Sequence, residues 1–442
     1  MGPLTVRRAA ALSVVLAAGV LVHPPLSQTP DAGLDPEIAR MAGEISPAEI
    51  RATVDALAGF GTRHSRSATA SAARGIGAAR RWIEAHLSRS AQAPASRMTV
   101  ELDAWEDENA RIARTRFVNI MAIIPAAQPE AATRWYIAGG HYDSRNSDPK
   151  DAEGDAPGAN DDASGTAVVL ELARVLAARR LDANLLLVAF DGEEHGLIGS
   201  RRLAALAPQR GWQVAGMITN DIVGGTLGGN GVKDSTTIRC FSGGSREPGG
   251  ADSSSREWAR YLRTQAERYD LSARIRMVFR IDRFGRGGDH IPFHEAGWPA
   301  LRLTEAAEDY TRQHQNVRTE SGVSYGDVPG MVSADYVARV ARANVAALVS
   351  AALAPAPPSD LKIAGAVTQD TVLTWKRGLE PDLAGYAIYM RETTEPMWER
   401  RIWAGAVESF TLKGISIDNS FFGVAAVDTS GHESPVALPT RG

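Results

Sequence analysis

The sequence predicts a mostly parallel α/β sheet flanked by helices, followed by a small all-β sandwich, and three observations carry that expectation. Apolar strand-like runs alternate with segments of helical period from about residue 116 to 353. A proline-rich stretch, Ala354-Pro355-Ala356-Pro357-Pro358, then breaks the alternation and reads as a stiff linker. Beyond it only short alternating strands occur, without a helical pattern between them. The expected divisions are a leader at 1–28, a large α/β domain at 29–353, the linker at 354–358 and the sandwich at 359–442.

In chain order, Arg7 and Arg8 precede an apolar run from Ala9 to Val22, followed by His23-Pro24-Pro25. A basic start with so short an apolar segment reads as a secretory leader, since spanning a bilayer takes about 20 apolar residues. The expected location is therefore outside the cytoplasm, in the periplasm, at the cell surface or in the medium, with no permanent membrane span. Ser46 is a fitting N-cap, with Pro47 at the first helical position and Glu49 completing a capping box, so a helix runs to about Ala58. A second helix is expected from Thr69 to Leu87, where Ile76, Ala79, Trp82, Ile83 and Leu87 recur at helical spacing.

Strands follow at Arg116 to Ile124 and Arg134 to Ala138, then a helix from Thr166 to Ala178. Asn184 to Phe190 is a continuous apolar strand, the pattern of one covered on both faces. The alternation continues with a helix from Leu197 to Leu206, a strand from Val214 to Val223 and a helix near Ser253 to Arg268. A strand from Ile275 to Ile281, another from Ala300 to Thr304 and a helix from Ser333 to Leu353 complete the large domain. In the sandwich the strands are Val372 to Trp375, Gly385 to Met390, Phe410 to Leu412 and Phe421 to Val427.

Composition narrows the function classes. The chain has 442 residues, 44% of them hydrophobic and 23% charged, which excludes a disordered or fibrous protein. A net charge of −4 leaves no global basic field for nucleic acid. The single cysteine, Cys240, excludes an internal disulfide, so stability must come from the core or from bound metal.

The chemistry lies at the ends of the predicted strands, where open α/β sheets bind their ligands. There the sequence places His141-Tyr142-Asp143, Asn160-Asp161-Asp162, Glu193-Glu194, Asn220-Asp221 and Gln313-His314-Gln315. Imidazoles and carboxylates together suit zinc, and two metals side by side need a carboxylate between them. His141 and Asp143 share a strand face, so one can bind metal while the other orients the imidazole. Glu193 and Glu194 are adjacent and point apart, so one can ligate while its neighbour takes a proton. Taken singly, each segment has a plainer reading: Asp161, Asp162 or Ser164 can cap the following helix, and paired glutamates are commonly solvated turns. Their recurrence at one strand end after another is what favours metal.

The sequence at this point resembles the co-catalytic zinc exopeptidases of the aminopeptidase Y and leucyl aminopeptidase type. The matching pieces are G-G-H-Y-D-S at 139–144, P-G-A-N-D-D-A-S-G at 157–165 and A-F-D-G-E-E-H-G-L-I-G-S at 189–200. I-T-N-D-I-V-G at 218–224 and G-D-H-I-P-F-H-E-A-G-W-P-A at 288–300 also match. The resemblance covers about 45–350. It implies two zinc ions, one held by His141 and Asp221, the other by Glu194 and His314, with Asp161 bridging. It implies Glu193 as the general base and acid, Asp143 as the partner that orients His141, and a cis bond after Asp161. Around the last histidine the chain departs from the family: Gln313 stands where relatives often carry an oxyanion-supporting tyrosine. Tyr310, Arg312 and Gln313 are the alternatives for substrate binding, and His290 competes as a further site residue. Gly224 to Gly231 is expected to shape the pocket rim, and the Cys240 loop with Arg283 to Gly288 to line it. The C-terminal segment resembles a fibronectin type III domain through Leu373-Thr374-Trp375, Gly385 to Tyr389 and Phe422 to Asp428.

The expected function is an exported zinc exopeptidase acting on peptide or protein N-termini as a monomer, with the C-terminal sandwich as a docking surface. Zinc would bring a bridging water towards a pKa of about 7, and Glu193 would take its proton. The alternatives are a di-zinc carboxypeptidase or deacylase, a glutaminyl-cyclase-like enzyme, and a non-catalytic binding protein on the same fold.

Overall fold

The computed structural model describes Gly2 and residues 33–245, 252–270 and 272–441. Apart from Gly2, the leader expected at 1–28 lies outside the described residues. The large domain opens with helices α1 (Pro36–Gly43), α2 (Pro47–Gly59) and α3 (Ile76–Ala91). Strands β1 (Thr99–Asp107), β2 (Thr115–Ile124) and β3 (Arg134–His141) follow. Then come α4 (Ala163–Leu176), β4 (Asn184–Phe190), α5 (Ile198–Gln209), β5 (Gln213–Asn220) and β6 (Thr237–Ser242). The domain closes with α6 (Ser254–Tyr269), β7 (Arg274–Val278), α7 (His290–Glu295), β8 (Ala300–Glu305), the hairpin of β9 (Arg318–Glu320) and β10 (Val323–Tyr325), and α8 (Ala334–Leu353).

Eight strands form one mixed sheet in the order β1-β2-β4-β3-β5-β8-β6-β7. Its centre, β4-β3-β5-β8, is parallel throughout, and antiparallel pairs join it to the outer strands. Strand alternation explains why both faces are apolar. Leu185, Leu187 and Ala189 of β4 pack under α2, α3, α4, α6 and α8, while Leu186, Val188 and Phe190 pack against α5 and α7. Fully burying each leucine, valine or phenylalanine side chain among these contributes about 1.5–3 kcal/mol. Among the described residues α8 alone is long and apolar enough to cross a bilayer, yet 83% of its apolar window is buried. It packs on α6, α1, α4 and α2, which is why its apolar character runs all round.

Local chemistry sets the ends of these elements. Ser46 caps α2 by accepting from Glu49 N, but Glu49 does not complete the box, because Ser46 N donates instead to Glu171 Oε1 at 2.5 Å. The second helix starts at Ile76 rather than Thr69, because Gly75 takes a positive φ of 87° and its neighbours fold against the backbone of Ala68 and Thr69. β5 stops at Asn220 rather than Val223, since Ile222 adopts a φ of 58° and turns the chain away. Strands β1 and β6 were not anticipated: β1 is polar and largely exposed, and β6 follows a glycine-rich loop that masks its start. Cys240 consequently sits buried within β6, not in a loop lining a pocket, which corrects the expectation for it.

After the proline-rich linker come β11 (Ser359–Ala364), β12 (Thr371–Lys376), β13 (Leu383–Glu392), β14 (Arg400–Gly405), β15 (Ser409–Leu412), β16 (Ser420–Asp428) and β17 (Thr440–Arg441). They form two sheets, β15-β12-β11-β17 and β14-β13-β16, around a core that includes Trp375 edge-on to Tyr386. The sandwich is docked on the large domain through polar contacts. Trp398 Nε1 donates to Glu257 at 2.9 Å, Arg260 Nε to the Pro396 carbonyl at 2.6 Å, and Tyr261 Oη to the Glu433 carbonyl at 3.0 Å. Arg391 and Arg260 share Asp252 in a buried ion-pair network.

Candidate active site

The carboxyl ends of β3, β4 and β5 come together with the N-terminus of α4 and the loop after β8. β3 ends on His141, the turn after β4 carries Glu193 and Glu194, and Asp221 follows β5. Asp161 precedes α4, and His314, with a φ of 55°, lies in the loop after β8. Glycine makes the approach possible, since a Cβ on Gly165 would lie 2.0 Å from the Asn220 carbonyl oxygen. The first turn of α4 therefore rests on the strand ends. Asp162 caps it, accepting from Gly165 N at 2.8 Å and from His141 N at 3.0 Å, and the Asp161–Asp162 bond is cis.

Two clusters of metal-ligating type result, with ligand atoms within 4.8 Å of one another in each. One comprises His141, Glu193 and Asp221, the other Asp161, Glu194 and His314. Asp161 faces both: its Oδ1 lies 3.2 Å from His141 Nε2 and its Oδ2 lies 2.9 Å from His314 Nε2. His314 Nε2 is also 2.9 Å from Glu194. His141 donates through Nδ1 to the Asp143 carbonyl at 3.1 Å, so its lone pair is left on Nε2. That atom is buried 3.9 Å from Glu193 and 4.0 Å from Asp221 and makes no hydrogen bond among the described residues. An orphaned imidazole nitrogen facing three carboxylates fits a divalent metal.

Around these groups the chain supplies orientation and countercharge. The Asp143 carboxylate accepts from Glu193 N and Glu194 N, at 3.2 Å each, and so fixes the turn that carries both glutamates. Burial pushes the Glu193 carboxyl well above its ordinary range; Asp221 and Glu194 add to this and His141 opposes it. Burial works against charge on His314, but Glu194 and Asp161 prevail and raise it to about 10. Arg302, from β8, pairs with Asp221 at 2.8 Å, and Arg145 reaches Glu194 at 3.1 Å.

Of the other expected site residues, Gln313 comes closest, its Nε2 donating to Asp161 Oδ2 at 3.0 Å. Arg312 lines the adjoining cavity, whereas Tyr310 is 65% exposed and is not among the residues that line it. His290 is not available to a substrate: it has no exposed surface and its Nε2 lies 2.6 Å from the Ile281 carbonyl, which corrects its inclusion. Gly225, Thr226 and Leu227 line the cavity, as expected for that loop. Arg283 and Arg286 pair with Glu308, which borders the cavity, and Arg286 also donates to Gln313 Oε1.

Sequence reasoning missed Arg63, Arg302 and Asp327. Arg63 is wholly buried and donates to the carbonyls of Tyr142, Leu57, Pro157 and Gly158. Asp327 accepts from Asn160 N at 2.8 Å and Asp161 N at 2.7 Å, holding the loop that presents Asp161. No local pattern marks any of the three. Arg145, two residues beyond Asp143, lay within reach of the strand-end motif.

The model of peptidase family M28 matches residues 119–328, the span that contains both ligand clusters and Asp143. A probable zinc metalloprotease of Pyrenophora tritici-repentis is 39% identical over 92% of this chain and 88% of its own length. The chain belongs to peptidase family M28. Its fold is similar to that of the LapA aminopeptidase of Legionella pneumophila, with a TM-score of 0.54 at 16% identity over 74% of this chain and 77% of that one. It is similar also to the glutaminyl cyclase of Porphyromonas gingivalis, with a TM-score of 0.50 at 18% identity over 69% and 98%. As a member of the family the protein is a zinc metallopeptidase, with a mixed α/β domain and a C-terminal β-sandwich region.

Proposed function

We propose that this M28 metallopeptidase is an exported aminopeptidase that holds two zinc ions and releases residues from peptide N-termini. The observation that carries the reading is the arrangement of Asp161, one oxygen towards each histidine, with Glu193 within reach of His141 in the first cluster and a cavity bordered by Asp161. His141 and Asp221 would hold one zinc, Glu194 and His314 the other, and Asp161 both. Zinc bound there supplies Lewis acidity and an acidified water. Glu193 accepts a proton and returns it to the leaving amine, a task suited to a carboxyl raised by burial. Gln313 Nε2, an uncharged donor beside Asp161, steadies the carbonyl oxygen of the substrate. The acidic groups around the pair attract a free α-ammonium, which favours N-terminal over C-terminal cleavage. Export rests on the leader-like segment at the N-terminus, and the sandwich strands are consistent with a fibronectin type III-like module.

The test is hydrolysis of aminoacyl-nitroanilides beside their N-acetylated counterparts. Turnover of free N-termini alone supports the proposal. Turnover of blocked substrates alone would replace it with a carboxypeptidase or deacylase.

A further inference from the structure

Beside Asp161 lies a cavity of about 200 Å³, bordered by Ile222, Gly225, Leu227, Glu305, Arg312 and Met331. Apart from Asp161, four carboxylates border it, two of them paired with arginine and a third hydrogen-bonded through both oxygens. Glu308 is paired with Arg239, Arg283 and Arg286. Asp309 is paired with Arg312 and bonded by Thr311. Asp327 takes the two backbone N–H groups before α4.

Glu305 differs. Its residue is 3% exposed, and its Oε2 accepts from Asn160 Nδ2 at 2.7 Å and Gly225 N at 2.6 Å. Among the described residues nothing hydrogen-bonds Oε1, and no cationic side chain pairs with the carboxylate. Burial accordingly holds the Glu305 carboxyl up at about 8. A side chain on Gly225 would come within 2.5 Å of Glu305 Oε2, so glycine keeps the approach open.

We infer that this cavity selects substrates whose N-terminal residue is lysine or arginine, the cationic end group pairing with Glu305 and the aliphatic stem lying against Ile222, Leu227 and Met331. The inference rests on the aminopeptidase reading for the statement that this cavity receives the residue being released. Held at about 8, the Glu305 carboxyl is mostly protonated near pH 7 before a substrate arrives. An arriving cation pairs with the carboxylate left when that proton is released to solvent, a gain that a leucine side chain does not provide. A site built to pair with a polar end group rejects the analogue lacking it more strongly than a hydrophobic slot rejects a missing methylene.

The test pairs binding with turnover on the zinc-loaded protein. L-lysinamide and L-norleucinamide share an α-amine and nearly the same stem, so their difference in calorimetric affinity isolates the terminal ammonium. Lysinamide is expected to bind at least tenfold more tightly, and kcat/KM for Lys- and Arg-nitroanilides to exceed that for norleucyl-nitroanilide by at least tenfold. Glu305→Gln retains an oxygen for Asn160 and Gly225 while removing the charge, so it should abolish both preferences with the zinc content and circular dichroism unchanged. Glu305→Asp should keep a reduced preference. Equal or tighter binding of norleucinamide to the wild type overturns the inference, as does a lysinamide preference that survives in Glu305→Gln. A lysinamide preference lost in Glu305→Gln, with no aminoacyl-nitroanilide hydrolysed, supports the pocket and overturns the aminopeptidase reading instead.

Discussion

Replacing Arg63 with methionine should unfold much of what positions the zinc ligands, and the magnitude can be worked from its contacts. The guanidinium has no exposed surface and donates to four carbonyls, those of Tyr142 at 2.6 Å, Leu57 at 3.0 Å, Pro157 at 2.5 Å and Gly158 at 2.8 Å. Two of these keep another donor: Leu57 O accepts from Phe60 N at 3.3 Å and Gly158 O from Ala163 N at 3.0 Å. The Tyr142 and Pro157 carbonyls lose the only donor they have among the described residues. An orphaned buried acceptor costs about 1–3 kcal/mol, so Arg63→Met should lose about 2–6 kcal/mol, a large share of a typical stability of about 5–15 kcal/mol. The position of the loss matters as much as its size. Tyr142 adjoins His141 and Gly158 leads to Asp161, so Arg63 ties together the segments that carry one member of each cluster. Arg63→Lys has donors for only part of this set and should recover less than half. Urea denaturation followed by circular dichroism, with zinc content measured on the same samples, reads both effects. An Arg63→Met protein within 1 kcal/mol of wild type, with full zinc, would refute the reasoning.

Other consequences follow from the same contacts. Gly165→Ala places a Cβ 2.0 Å from the Asn220 carbonyl oxygen, so α4 must retreat from the strand ends. It should cost about 3 kcal/mol or more and lower zinc content, measured by thermal melting and metal analysis. His432 lies 2.9 Å from both Asp428 and Asp35, and these bonds, led by Asp428 and opposed by burial, raise it to about 9. A histidine raised above its unfolded value of about 6.5 contributes fully below that pH and ceases to contribute as the pH rises through about 9. His432→Gln should therefore cost about 1–2 kcal/mol at pH 6, discounted for partial exposure, and almost nothing above pH 10. Parallel denaturation curves at the two pH values check this, and an equal loss at both would contradict it.

How far the sequence spoke depends on whether a feature is local. The parallel centre was legible because Asn184 to Phe190 is apolar throughout and strands covered on both faces have no polar alternation. The groups at its ends were legible because each sits one or a few residues beyond such a run: His141 ends β3, and Asp221 follows β5 directly. β1 was not, since its half-exposed residues carry charges that read as loop until β2 pairs with it. Arg63, Arg302 and Asp327 were illegible for a stricter reason. Each acts on a segment more than 75 residues away in the chain, and nothing in its own neighbourhood distinguishes it from a surface charge. His290 shows the converse error: a histidine in a conspicuous motif proved to be packing, its ring bonded to a carbonyl and closed to solvent.

The central claim is that two ligand clusters sharing Asp161 each hold one zinc ion. Zinc per chain, measured by plasma emission after exhaustive dialysis, tests it most directly. Two zinc ions are predicted for the wild type and for Glu193→Gln, and one for His314→Ala. A wild-type protein that retains one zinc or none, or a His314→Ala variant that keeps both, would contradict it.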